Sequence, residues 1–146
     1  MIKAIRAENI YNFIQTISAI TNLATVFSMK PDENATPDTS YCFISIVSDI
    51  PRGKSQIGYL MKTARISFHI VCEKKLKAQD TPERVIMTIV DAINNNIVFQ
   101  WWWNQKTKVD WLIMQSILED TASPILFSEN RHYLTKDYLF NYISVV

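Results

Sequence analysis

Glycine is unusually scarce in this 146-residue sequence, which contains only Gly53 and Gly58. Average usage of ~7% predicts about ten glycines in a chain of this length. Loops that cradle phosphate need closely spaced glycines, so the scarcity argues against a nucleotide site. Arg52-Gly53-Lys54-Ser55 resembles the end of such a loop, but Ser48 stands where the second glycine is required, five residues before Gly53. We therefore expect a polar loop tip here and no cofactor.

Cysteine and long apolar runs are also scarce. Cys42 and Cys72 are the only cysteines, too few for a disulfide framework, so we expect free, buried thiols in a reducing compartment. No apolar run reaches the ~18 residues that span a bilayer, and the N-terminus has charges where a signal peptide is apolar. Because 48% of the residues are hydrophobic and 20% are charged, we expect one soluble domain over residues 1–146 that is not secreted and has no membrane partner.

The net charge of +1 is too balanced to indicate a nucleic-acid or membrane partner. Its distribution is uneven, because residues 52–84 hold eight basic and three acidic groups and therefore carry +5. The segments before and after each carry −2. Such a basic middle could attract the acidic ends of a second copy. The alternative is a solvated, lysine-rich hairpin and loop.

Two segments have the periodicity of amphipathic helices. In the first, apolar residues recur at three-and-four spacing: Ile10, Phe13, Ile14, Ile17 and Ile20. A second helix is predicted to start at Asp80-Thr81-Pro82-Glu83, with Asp80 as its cap and Glu83 completing a capping box. Its apolar stripe runs from Val85 to Ile93, and Asn94-Asn95-Asn96 is expected to end it.

Five segments have the composition or alternation of strands: Leu23–Met29, Tyr41–Val47, Tyr59–Cys72, Val109–Glu119 and Tyr133–Val146. Tyr41–Val47 is apolar on both faces, which predicts cover on both sides. Tyr59–Cys72 has one apolar face and one polar face. We predict that Ile50–Tyr59 is a long exposed loop or a flexible hairpin arm. The fold class is therefore α+β, with an antiparallel or mixed sheet of four to five strands and two helices on one face.

Residue types that support catalysis or metal binding are present but poorly placed. His69 and Cys72 are three residues apart on a predicted strand, so their side chains should point to opposite faces. His132 and Cys42 add no metal-ligand spacing. The carboxylates Asp80 and Glu83 are explained by helix capping. We expect neither a metal site nor an enzyme.

Three adjacent tryptophans, Trp101, Trp102 and Trp103, form the most unusual run in the sequence. Neighbouring side chains diverge on a helix or a strand, so the three cannot all face one core. Amphipathic aromatic side chains are favoured at protein interfaces, which suggests a subunit contact. The alternatives are a bulky loop that packs over the sheet edge, or base stacking assisted by Lys106 and Lys108.

The order of these elements resembles that of tail-terminator or tail-completion proteins of long-tailed bacteriophages. The resemblance covers most of the chain and rests on the N-terminal helix, the protruding connection and the alternating strand Arg65-Ile66-Ser67-Phe68-His69-Ile70-Val71. The Thr-Pro-Glu-capped helix and the closing strand Tyr138–Val145 complete it.

This resemblance implies a non-enzymatic virion protein, made in the host cytoplasm, that forms a ring, commonly a hexamer, at the head-proximal end of the tail tube. The ring would stop tube growth and join the tail to the head connector, with DNA passing through it without specific binding. Its partners would be further copies of itself, the tail tube protein and the connector protein.

A ring needs two different patches that meet on neighbouring copies. The residues that we predict at this interface combine the basic segment with the aromatic run: Arg52, Lys54, Tyr59, Arg65, Trp101, Trp102 and Trp103. The rival hypothesis from another class is a small nucleic-acid-binding protein that uses residues 52–84 together with Trp101–Trp103.

Overall fold

The computed structural model of the protein describes residues 3–98 and 110–145. These residues form three helices, α1 (Ala7–Ile14), α2 (Ser18–Thr21) and α3 (Pro82–Ile93). They also form six strands, β1 (Thr25–Phe27), β2 (Tyr41–Lys54), β3 (Leu60–Val71), β4 (Leu112–Ala122), β5 (Leu126–Ser128) and β6 (Arg131–Ser144). A 3₁₀ turn at Glu33–Ala35 precedes β2, and a π-helical turn at Asn94–Val98 follows α3.

All six strands belong to one mixed sheet with the order β1-β2-β3-β6-β4, and β5 pairs with the start of β6. Only the β1–β2 pair is parallel. The long strands β2 and β3 form a hairpin whose turn lies near the end of β6, because Lys54 pairs with Leu60 and Leu60 pairs with Ser144. This result confirms the predicted α+β class, with six strands in place of four to five.

The helices cover one face of the sheet. Alternate side chains of β3 and β6 point toward them and are fully buried, among them Ile66, Phe68, Tyr138 and Phe140. The five apolar residues predicted on the first helical face are all buried in the same core. Burial of this apolar area is the main stabilising contribution to the fold.

The first helical segment is not continuous, contrary to the prediction. It breaks after Ile14 because Ile17 has extended backbone angles (φ −107°, ψ 95°). The hydroxyl of Thr16 donates to the carbonyl of Phe13 at 2.6 Å. This carbonyl therefore has a hydrogen-bond donor without the backbone N–H that a continuing helix would provide. Ile17 and Ile20 still reach the core through the short helix α2.

The connection predicted at Ile50–Tyr59 is wrong in its extent, because β2 continues through Lys54 and only Ser55–Tyr59 form the turn. Pro51 cannot donate to a sheet ladder, but β1 pairs with β2 only as far as Phe43, so the outer edge of β2 beyond that point has no partner strand among the described residues. Gly53 lies at a register shift and has φ +139°, a conformation that side-chain-bearing residues rarely adopt.

Two further expectations also need correction. Tyr41–Val47 is not covered on both sides, because Val47, which lies at a register shift in β2, is 59% exposed. The cap of α3 is Thr81, whose hydroxyl accepts from the backbone N–H of Arg84 at 3.2 Å. With Thr81 as the cap, the third residue of the helix is Arg84 and not Glu83. The predicted capping box of Asp80 and Glu83 therefore does not form. Pro82 occupies the first turn as expected.

Candidate assembly surface

The face of the sheet opposite the helices carries no helix among the described residues, and we call it the open face. Its side chains come from alternate positions of the four long strands. The outward residues of β3 and β6 are the half-buried or polar members of each strand: Thr63, Arg65, Ser67, His69, Thr135, Asp137, Leu139, Asn141 and Ile143. The alternating strand Tyr59–Cys72 therefore has the polar face that its sequence predicts, and this face points away from the core.

Polar side chains on the open face bind one another across neighbouring strands. Thr63 Oγ1 donates to Asn141 Oδ1 at 2.6 Å, and Asn141 Nδ2 donates to Ser116 Oγ at 2.8 Å. Ser67 Oγ donates to Asp137 Oδ1, also at 2.6 Å. Because these donors and acceptors already have partners, the centre of the open face is an ordered polar surface in the single chain.

Arg65, one of the predicted interface residues, lies in the middle of this surface. Its guanidinium pairs with Asp120 of β4 and lies 3.6 Å from a carboxylate oxygen of Asp137 on β6. The side chain therefore ties β3 to both following strands. A group held in this way contributes to the shape of the open face more than to contacts with a neighbour.

Arg52 links the two outer long strands of the sheet. Its Nη2 donates to Oε1 of Gln115 at 2.6 Å, although β2 and β4 are separated by both β3 and β6. Strands three places apart would lie ~14 Å from each other in a flat sheet. The two long side chains therefore bridge both intervening strands at this end of the sheet.

The two outer long strands, β2 and β4, carry exposed apolar side chains. Val47 and Ile50 on β2 are 59% and 58% exposed, and Ile113 and Leu118 on β4 are 42% and 50% exposed. Single exposed apolar residues are normal on protein surfaces. Four of them on the two strands that flank the open face make this side of the sheet the candidate surface for contact with another protein.

The hairpin turn carries the next group of predicted interface residues. The backbone N–H of Ser55 donates to the carbonyl of Tyr59 at 2.8 Å, and that of Gly58 donates to the carbonyl of Ser55 at 3.0 Å. Gly58 has φ +87°, a conformation that glycine adopts without strain. Ile57 is 74% exposed at the turn, and Lys54 is exposed beside it. Arg52, Lys54 and Tyr59 thus lie together at one end of the sheet.

The basic segment 52–84 does not form one continuous patch. Lys62 pairs with Asp49 at 3.1 Å, and Lys74 pairs with Asp38 at 3.2 Å. With Arg65, three of the eight basic groups are thus paired with acidic residues from the flanking segments of the same chain. The others are divided between the hairpin turn, with Arg52 and Lys54, and the region before and within α3, with Lys75, Lys77 and Arg84.

Two lysines on the core side are features that the sequence patterns did not indicate. Lys62 binds Asp49, whose other bond comes from the hydroxyl of Tyr142 at 2.5 Å, and Lys136 binds Glu119 at 2.8 Å. Burial raises the pKa of Tyr142. The hydrogen bond from Lys136 lowers the pKa of Glu119. Each lysine lies at an inward position of its strand, where an apolar residue is the usual occupant, and its charge is paired with a carboxylate.

His69 has a structural environment on the open face. Its ring stacks on Phe43 with centroids 4.4 Å apart, and its two nitrogens lie 2.8 Å from Ser45 Oγ and 3.2 Å from Thr135 Oγ1. Burial lowers its pKa below the ordinary value. Cys72 is buried on the other side of the sheet, as the spacing predicts.

Both cysteines are free and buried, as expected, and burial raises the pKa of the Cys42 thiol to about 12. Within residues 3–98 and 110–145, no group of three His, Cys, Asp or Glu side chains is arranged to hold a metal ion. Of the interface residues predicted from the sequence, Arg52, Lys54 and Tyr59 lie at the hairpin turn, and Arg65 lies at the centre of the open face. The run Trp101–Trp103 lies outside the described residues.

No family model matches the sequence, and no curated protein matches it either. Among the helices that the structure describes, none combines the length and the apolar character that crossing a membrane would require.

Proposed function

We propose that this chain is a structural virion subunit that forms a ring at the head-proximal end of a phage tail tube. The ring ends tube growth and joins the tail to the head connector. The observation that carries the proposal is the open face, which no described helix covers and which is flanked by two outer strands with exposed apolar side chains, on a sheet whose other face packs against the helices. In the ring, this face is covered by the neighbouring copy.

The element order supports the tail assignment. An N-terminal helical segment, a long β2–β3 hairpin, a capped helix that ends at Ile93 and a closing strand β6 follow one another as in the resemblance stated above. The division of the free basic groups between two ends favours protein assembly over the nucleic-acid hypothesis, because binding along a phosphate backbone needs a continuous basic surface.

Electron microscopy of the full chain incubated with polymerising tail tube protein tests the proposal. We expect rings in the absence of tubes and tubes of limited length with one decorated end in its presence. A chain that stays monomeric and leaves tube growth unchanged would contradict the proposal. Binding to DNA at low salt that weakens steeply as salt is added would favour the rival function.

A pair of variants connects the test to the open face. Val47→Lys combined with Leu118→Lys places two charges on the outer strands β2 and β4, and we expect it to prevent ring formation. The control is Met87→Lys, which adds a charge at an apolar residue 39% exposed on α3, on the helical side of the molecule. Equal loss of rings in both variants would indicate a general charge effect and would remove the open face from the interface.

A further inference from the structure

A groove of about 390 Å³ opens at the end of the sheet away from the hairpin turn. Its aromatic walls come from Tyr41 and Phe43 of β2, His69 of β3 and Tyr133 of β6. The rings of Phe43 and His69 are stacked with centroids 4.4 Å apart, and hydroxyl contacts at 2.8 and 3.2 Å hold both nitrogens of His69. The groove therefore has the size and the preformed aromatic lining that are typical of small-molecule sites.

Arg131 lines the same groove and is a buried cation without a counter-ion. It is 5% exposed, and its guanidinium donates to three backbone carbonyls and lies 4.9 Å from the centroid of the Tyr41 ring. These partners are polar but uncharged, and Arg131 takes part in none of the ion pairs among the described residues. Each terminal nitrogen of the guanidinium carries a second N–H for which the described residues provide no acceptor. Because buried charges in proteins are normally paired, this cation calls for an anion.

The charges at the mouth of the groove offset one another. Lys30 and Glu129 both line it and both are exposed, so water screens each charge and their opposite signs largely cancel. Arg131 is buried, where the effective dielectric constant is lower and a charge acts more strongly. The positive charge that remains in the groove is therefore that of Arg131.

An adjoining depression of about 450 Å³ does not alter this balance. It is lined by three basic and three acidic side chains: Lys30, Lys74, Arg131, Asp32, Glu33 and Glu129. Apart from Arg131, these charged side chains are exposed and screened by water. The selection of a ligand thus depends on the buried cation and the aromatic walls of the groove.

We propose that the groove binds a small aromatic carboxylate, with the ring of the ligand against the aromatic walls and its carboxylate beside Arg131. A single uncompensated cation matches a single negative charge, whereas a phosphate monoester carries more than one at neutral pH. A carboxylate also accepts charge-assisted hydrogen bonds from a guanidinium, which are stronger than bonds between neutral groups. This inference goes beyond the proposed ring and does not depend on it.

Isothermal titration calorimetry of the full chain with 2-naphthoate tests the inference. Neutral 2-naphthamide has the same rings without the charge, and acetate has the charge without the rings. We expect 2-naphthoate to bind at least about tenfold more tightly than either analogue. The same titration of the Val47→Lys, Leu118→Lys variant keeps the groove accessible if a neighbouring copy covers it in the wild-type ring.

Single substitutions locate the site. Lys30→Glu should weaken binding of 2-naphthoate about threefold, and Glu129→Lys should strengthen it by a similar factor, because they change the charge at the mouth in opposite directions. Arg84→Glu makes the same change of charge as Lys30→Glu at an exposed position of α3 and should leave the affinity unchanged. Arg131→Gln, checked for folding by circular dichroism, should lower the affinity for 2-naphthoate to that for 2-naphthamide.

Equal affinities of the wild type for 2-naphthoate and 2-naphthamide would overturn the inference, because the groove would then select no charge. Absence of binding at about 5 mM 2-naphthoate, in both the wild type and the Val47→Lys, Leu118→Lys variant, would overturn it as well. If Arg131→Gln does not fold, the opposite effects of Lys30→Glu and Glu129→Lys decide the question. Equal weakening by Lys30→Glu and Arg84→Glu would place the ligand elsewhere. None of these results bears on the copy number of the ring.

Discussion

Arg131 ties the loop before β2 to the residue that follows β3. It is 5% exposed, and its guanidinium donates to the carbonyls of Cys72 at 2.8 Å, Pro37 at 2.6 Å and Thr39 at 2.7 Å. It also lies over the ring of Tyr41, 4.9 Å from the centroid. No periodicity in the sequence indicated this role, because the three acceptors are backbone atoms brought together only by the fold.

Replacement of this side chain, Arg131→Ala, should therefore lower the free energy of unfolding by about 3–5 kcal/mol, since three carbonyls lose a charged donor. Urea denaturation followed by circular dichroism measures the change. Arg84→Ala is the matched control on the exposed side of α3 and should change stability by less than about 0.5 kcal/mol. Similar effects of the two substitutions would contradict the assigned role of Arg131.

His69 predicts a pH dependence of stability. Burial lowers its pKa in the folded state, and Lys30 acts in the same direction, while Asp137 opposes them. The unfolded chain therefore binds a proton at higher pH than the folded chain. The resulting stability is present above pH ~6.5 and is lost as the pH falls through the lower folded pKa. The substitution His69→Gln keeps the polar contacts with Ser45 and Thr135 and removes the titration.

The measurement is the free energy of unfolding at several pH values between 7.5 and 5. We expect the wild type to lose stability more steeply than His69→Gln over this range, because only the wild type gains the extra proton on unfolding. Parallel curves for the two proteins would show that the histidine does not contribute.

At the scale of elements, the start of α3 has one cap predicted from the sequence, Asp80, and another in the structure, Thr81. The hydroxyl of Thr81 accepts from the N–H of Arg84 in the structure, whereas the sequence pattern assigned the cap to Asp80. Thr81→Ala should lower stability by about 1 kcal/mol. Asp80→Ala should have little effect, and thermal denaturation compares the two. A larger loss at Asp80 would restore the capping box and contradict the structural assignment.

The periodicity of apolar residues was sufficient to predict the helices and strands that have a regular stripe or alternation. The predicted stripe of α3 faces the core, with Ile86, Ile89, Val90 and Ile93 buried and Val85 partly buried, because it follows the 3.6-residue repeat. The predicted alternation of β6 separates buried from half-buried residues through the two-residue repeat. Chain breaks were harder to predict. The helix breaks near Thr16, where both the hydroxyl and the N–H of Thr16 bond to the carbonyl of Phe13. Strand β2 continues through Pro51 because its edge away from β3 has no partner strand there among the described residues.

Strand pairing also explains why β5 was not predicted. Three residues, Leu126–Ser128, give no measurable alternation, and the strand exists because Glu129 and Asn130 both adopt positive φ and turn the chain back onto β6. Strand pairing also determines where the residues of the predicted interface lie. Arg52, Lys54 and Tyr59 come together at the turn, but Arg65 is held at the centre by Asp120, a pairing that needs the order β3-β6-β4.

At the scale of the whole molecule, the two faces of the sheet are unequal. One face packs against the helices, and the other is a polar surface flanked by two outer strands with exposed apolar side chains, with the hairpin turn at one end and the β5–β6 turn toward the other. A surface with two different ends suits copies arranged head to tail, and such an arrangement closes into a ring when the rotation between copies divides the circle evenly.

The mass of the assembled chain in solution tests this account most directly. Native mass spectrometry of the wild-type chain, whose single copy is 16.9 kDa, should give one closed species with a fixed copy number, six in the proposed tail ring, that does not grow as protein is added. A mass of one copy at every concentration, or an open series of masses without a preferred number, would contradict the proposed ring.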